Sequence, residues 1–87
     1  MKYIIYDVCE DPSNSIYATE LGKELTLNRF LELLELEIKS YCECYYYPKN
    51  PKETKKMIEL QFIQNMKEVL EGKPIQINGM EFVVEDE

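Results

Sequence analysis

Asp7, Glu10 and Asp11 are the residues of this chain whose type and spacing best suit chemistry. Carboxylates this close can share a proton as an acid pair, or hold a hard divalent cation through oxygen. The cluster also has a plainer reading, because strand ends and turns collect Asp and Glu where the backbone is wet. Cys42-x-Cys44, with Cys9 upstream, is the other candidate. Thiolates are soft zinc ligands, but zinc takes four, and the chain offers three thiols and no histidine. One intervening residue is also fewer than the two to four usual in zinc sites. An odd number of cysteines argues against a closed disulfide framework. The expectation is therefore buried or half-buried free thiols, with no metal and no cofactor.

The missing histidine matters more widely. Nucleophile-and-base catalysis needs a base titrating near neutrality, and histidine is the usual one. No glycine-rich loop is present to cradle a phosphate. A non-enzymatic role is expected. Charge is then the dominant property: 17 acidic side chains against 10 basic ones give −7 on 87 residues. Such a body repels nucleic acid and anionic lipid and attracts basic protein surfaces. A charge of this size also serves ordinary solubility.

The elements that must position these residues are read from periodicity. Residues 2–9 (Tyr3, Ile4, Ile5, Tyr6, Val8) form an apolar, β-forming run, expected as an interior strand because both faces are apolar. Asp11-Pro12-Ser13-Asn14-Ser15 is turn chemistry, and Ile16-Tyr17-Ala18-Thr19 is expected to return as a second strand. Thr26 caps a helix whose stripe is Leu27, Phe30, Leu31, Leu34, Ile38, Tyr41, Cys42 and Tyr45. The alternation in Leu36-Glu37-Ile38-Lys39 leaves a strand open over 36–47, but the stripe runs on unbroken, so one helix to about residue 44 is expected. Asn50-Pro51-Lys52-Glu53 reads as a capping box opening a second helix, with Ile58, Phe62, Ile63, Met66, Val69 and Leu70 inward. Gly72 closes that helix and Pro74 prevents its continuation. Asn78-Gly79 between alternating runs then sets a hairpin in which Ile77 faces Met80, Gln76 faces Glu81 and Ile75 faces Phe82. The fold expected is α+β in one domain over 1–87: two β-hairpins flanking a helical hairpin, a mostly antiparallel sheet, both helices on one face. No run approaches a membrane span or a signal-peptide core, so a cytoplasmic chain is expected.

Two surfaces stand out. Tyr45, Tyr46 and Tyr47 precede Lys49, Lys52, Lys55 and Lys56, and stacking aromatics beside cations suit single-stranded nucleic acid. That segment is a local +3, so the rest of the chain carries −10, and nucleic acid is the lesser expectation. Glu32, Glu35 and Glu43 are expected on the outer side of the first helix, with Leu33 and Leu36 off the core stripe beside them. Met57 and Leu60 lie off the stripe of the second helix. An apolar centre with a charged rim is the anatomy of a protein-binding surface, or of a contact with a second copy. The strand ending Tyr6-Asp7-Val8 is similar to the opening strand of the small CRISPR-associated ferredoxin-like integration subunit. That family continues with a long helix where this chain has turn residues, so no site residue is carried across. In size and charge alone the chain resembles the inhibitors that phages direct against restriction and CRISPR systems. The expected role is an acidic inhibitor or adaptor docking on the basic surface of a nucleic-acid-handling enzyme.

Overall fold

Asn78 and Gly79 both adopt positive φ, 52° and 77°, and the chain reverses there over two residues. Asn tolerates this region and Gly enters it without cost, which is what a type I′ turn requires. The strands it joins are β2 (Ile75–Ile77) and β3 (Met80–Glu85), in the register the turn dictates: Ile77 against Met80, Gln76 against Glu81, Ile75 against Phe82. This computed structural model describes residues 1–8, 17–46 and 51–86. Strand β1 (Lys2–Asp7) pairs antiparallel with the other side of β3, giving a three-stranded sheet in the order β1-β3-β2.

Helix α1 (Leu27–Tyr46) starts where Thr26 Oγ1 accepts the backbone N–H of Arg29 at 3.1 Å. It is unbroken through the alternating stretch, so residues 36–46 are helix. Helix α2 (Pro51–Leu70) opens on proline; its expected cap, Asn50, lies outside the described residues. Its end is closed by paired bonds, Gly72 N–H to Val69 C=O and Lys73 N–H to Glu68 C=O, around Gly72 at φ 99°. That is a Schellman motif, and its left-handed residue is glycine for steric reasons.

The registers put Tyr3, Ile5, Ile75, Ile77, Met80, Phe82 and Val84 on one side of the sheet, and all of them join the hydrophobic core. Helix α1 contributes Phe30, Leu33, Leu34, Ile38 and Cys42, and α2 contributes Val69 with Ile58, Phe62 and Met66 partly buried. Phe30 meets Phe82 edge-on at 5.6 Å between centroids and Tyr3 at 5.5 Å, joining α1 to two strands. The other side of the sheet carries Lys2, Tyr6, Glu81 and Glu85, with the Tyr6 hydroxyl donating to Glu85 at 2.8 Å.

Several expectations are corrected. The second N-terminal strand is not formed over 17–19: Ala18–Glu20 is a 3-10 turn, so an N-terminal hairpin is absent among the described residues. Tyr17 is buried, and its hydroxyl reaches across to Glu37 on α1, a long-range bond no local propensity anticipates. β1 is an outer strand, although Ile4 and Ile5 are both buried as its apolar faces suggest. Its outer edge is covered by the Gly22–Leu25 segment, with Gly22 N–H donating to Ile5 C=O and Leu25 N–H to Tyr3 C=O, each at 2.8 Å. Leu33 is buried at 2% exposure because α1 packs on α2 and on the sheet at once, which widens its buried arc. On α2 the true inward row is Ile58, Phe62, Asn65 and Val69, spaced i, i+4, i+7, i+11, and Ile63 and Leu70 are exposed. Leu27 and Tyr41 on α1 are likewise exposed by more than a third.

Truncating Phe82 to alanine is expected to cost about 3–5 kcal/mol, and Leu33→Ala about 2–5 kcal/mol. Leu60→Ala, at 68% exposure, should stay within about 0.5 kcal/mol. Urea unfolding midpoints at unchanged slope test this ranking.

Candidate interaction surfaces and a polar cleft

At 100° per residue Glu32, Leu36 and Glu43 fall on one line of α1, opposite the row buried by Leu34 and Ile38, with Glu35 flanking it. All four are exposed. Leu33 is not beside them, being packed in the core, so the apolar anchor reduces to Leu36 at 39% exposure. Nor is Glu32 a free anion. The Arg29 guanidinium grips Glu20 with two bonds, at 2.9 and 2.7 Å, and gives a third to Glu32 at 3.1 Å. These bonds hold the Glu20 carboxyl below its ordinary pKa and raise that of Arg29. They also tie the 3-10 turn to the first turn of α1. The anionic line keeps Glu43 and Glu35 fully outward.

The outer side of α2 is of another kind. Leu60 and Ile63, 68% and 57% exposed, sit together at i, i+3, with Lys56 and Lys67 one turn away on either side. Lys52, Lys55 and Lys56 are exposed, but they spread around the first turns of the helix. Tyr47 and Lys49 lie outside the described residues, as do the side chains of Tyr45 and Tyr46.

A cleft opens between α1, α2 and the hairpin, with a volume of about 390 Å³. Ile38 and Tyr41 line it from α1, Gln61 and Asn65 from α2, and the consecutive stretch Pro74–Asn78 from the sheet. Beside its turn end Glu37 gathers a network: Tyr17 donates its hydroxyl to one carboxylate oxygen, and the Asn78 amide donates to the other at 2.9 Å and to the Glu37 carbonyl at 3.1 Å. One α1 residue therefore fixes both the hairpin turn and the 3-10 segment. Its sequence position, one turn from Leu33 and Tyr41, gave no sign of this, because both partners are distant in the chain.

Most of the candidate metal residues lie outside the described residues. Asp7 is exposed at the end of β1, while Glu10, Asp11 and Cys9 lie outside the described residues. Among the described residues no group of three or more Cys, Asp or Glu is placed to hold an ion. Cys42 is a buried free thiol, and burial pushes its pKa up. The side chain of Cys44 is outside the described set. No helix among the described residues is long and apolar enough to cross a membrane. Comparison with protein-family models, with curated proteins and with solved structures finds no match to this chain.

A thiol whose folded pKa is raised stabilises the fold below its unfolded value of about 8.5, and loses that contribution as pH rises. Stability should therefore fall as pH rises past about 8.5, where the unfolded thiol ionises before the folded one. Chemical denaturation across this window, with Cys42→Ala flattening the decline, is the check. Peptide mapping after native iodoacetamide treatment should find Cys42 unlabelled.

Proposed function

We propose that this chain is a small acidic protein-binding module that docks on a basic surface of its partner. The observation that carries the reading is the outer line of α1, where an exposed Leu36 stands between Glu32 and Glu43 with Glu35 at its flank. An apolar centre inside a charged rim suits a protein interface, and −7 overall steers basic partners toward it. The outer faces of α1 and α2 offer broad exposed surfaces for contact. Carboxylates on a rigid helix also stand in for duplex phosphates, so the partner that fits best is a cytoplasmic nucleic-acid-handling enzyme with a basic cleft. The module then acts as an inhibitor by occupancy, as phage inhibitors of restriction and CRISPR enzymes do, and carries out no catalysis.

The test is capture by tagged protein from lysate of the source cells, at low and raised salt, compared with the Glu32→Lys, Glu35→Lys, Glu43→Lys triple variant. A single salt-sensitive protein partner should be lost in the variant, whose thermal midpoint stays within about 4 °C of the parent. Capture that survives the three reversals overturns the reading. Recovery of nucleic acid in place of protein moves the activity to the lysine-bearing start of α2.

A further inference from the structure

Asn65 is a polar residue in an apolar row, 6% exposed, on the inward line of α2. Its carbonyl oxygen accepts from Gln61 Nε2 at 2.9 Å, so its amide NH2 is the group left to face the cleft. An apolar residue at this position would continue the row Ile58, Phe62, Val69 and seal the space. A polar amide in the wall keeps the cleft open and wet and offers a donor to whatever enters it.

The opposite wall says what ligand fits. β2 is at the sheet edge and, among the described residues, pairs on one side only. In a two-residue hairpin the residues flanking the turn exchange both ladder bonds, so Ile77 bonds to Met80 and Ile75 to Phe82. The N–H and C=O of Gln76 consequently point away from β3, toward the free edge that the cleft follows. A donor and an acceptor on an open strand edge, faced by the amides of Gln61 and Asn65, match the alternating groups of another backbone. Every side chain lining the cleft is uncharged, so a phosphate or carboxylate placed in it would lose its hydration with no cation to replace it. Outside, the bonded carboxylate of Glu37 stands at the turn end and Lys73 at the other.

We propose that this cleft is a peptide site. It takes an extended segment of a partner protein as an added strand on the Gln76 edge, neutral side chains inside, a lysine or arginine toward the turn. The recognition is β-augmentation: main-chain bonds at Gln76 hold the segment, and the Gln61–Asn65 amides select its register. The net charge of −7 favours a basic segment over any anionic ligand. The site is distinct from the outer face of α1 and stands independently of the function proposed for it.

The experiment screens the full chain against a pool of randomised hexapeptides carrying one fixed lysine. The expected result is enriched peptides that shift the Gln76 backbone and Asn65 side-chain amide resonances in NMR spectra. Gln76→Pro removes the outward N–H without touching a ladder bond, and Asn65→Leu replaces the amide by an apolar group of the same branching. Each should weaken binding about tenfold or more, while the triple glutamate reversal leaves the peptide-induced shifts at Gln76 and Asn65 in place. Asn65→Leu should fold with a sharp spectrum, so the answer does not depend on the proline variant. Failure of the pool to enrich, or binding unchanged in both variants, overturns the proposal. So does saturation of the same amides by adenosine or uridine, which would make the cleft a nucleobase site.

Discussion

Phe82 stands on the middle strand with no exposed surface, and its ring meets Phe30 of α1 edge-on. The positions of the other elements depend on this contact. Burying Phe82 requires β3 to present its even-numbered side (Met80, Phe82, Val84) to α1, and that choice is fixed by the preceding Asn78-Gly79 turn, since a slip of one residue would turn Phe82 outward. Tyr3 then reaches Phe30 only because β1 pairs in the register that puts it opposite Val84. Aromatic area of this kind dominates the core of a small domain, where little else is available to offset chain entropy. Helix α1, touched by the sheet on one flank and α2 on the other, is the element around which the rest is packed.

What could be read in advance was what local chemistry decides. The hairpin register, the Thr26 cap, proline at the start of α2 and the glycine after its end all act within a few residues, and each stands where residue type places it. The misread positions share a different cause. Leu33 looks peripheral to a one-sided stripe, yet α1 has neighbours on two sides. Asn65 is polar and breaks the apolar pattern that marks a stripe, so spacing points to Ile63 in its place. Tyr17-Ala18-Thr19 has strand propensity, but Tyr17 is anchored by the core and by Glu37, and tertiary contact overrides a short preference. The acidic face of α1 followed from spacing alone, whereas the cleft depends on three elements distant in sequence meeting at one place.

Charge is distributed in the fold with more structure than its sum suggests. Arg29, the only arginine, neutralises Glu20 and Glu32 together and pins the 3-10 turn to α1. Glu37 spends its carboxylate on Tyr17 and Asn78, so its role is architectural. These exposed or half-exposed contacts are each worth little energetically, but they help set geometry by joining separate segments of the chain. Glu35 and Glu43 on the outer side of α1 are exposed and carry none of these bonds. An acidic surface made of groups with no structural duty is one that a partner can use without destabilising the fold.

The two edges of the sheet are treated differently. An unpaired strand invites association with other chains, and proteins blunt it by covering it, shortening it or placing proline near it. The β1 edge is covered, by Gly22 and Leu25. β2 keeps its edge toward the cleft and is blunted instead: it has three residues, and Pro74 directly before it lacks the next donor. An edge trimmed to the single outward residue Gln76 cannot template an extended ladder. It can still accept one short segment, and the amides of Gln61 and Asn65 restrict which segment that is. The features that keep this strand from aggregating are therefore the same ones that make it selective.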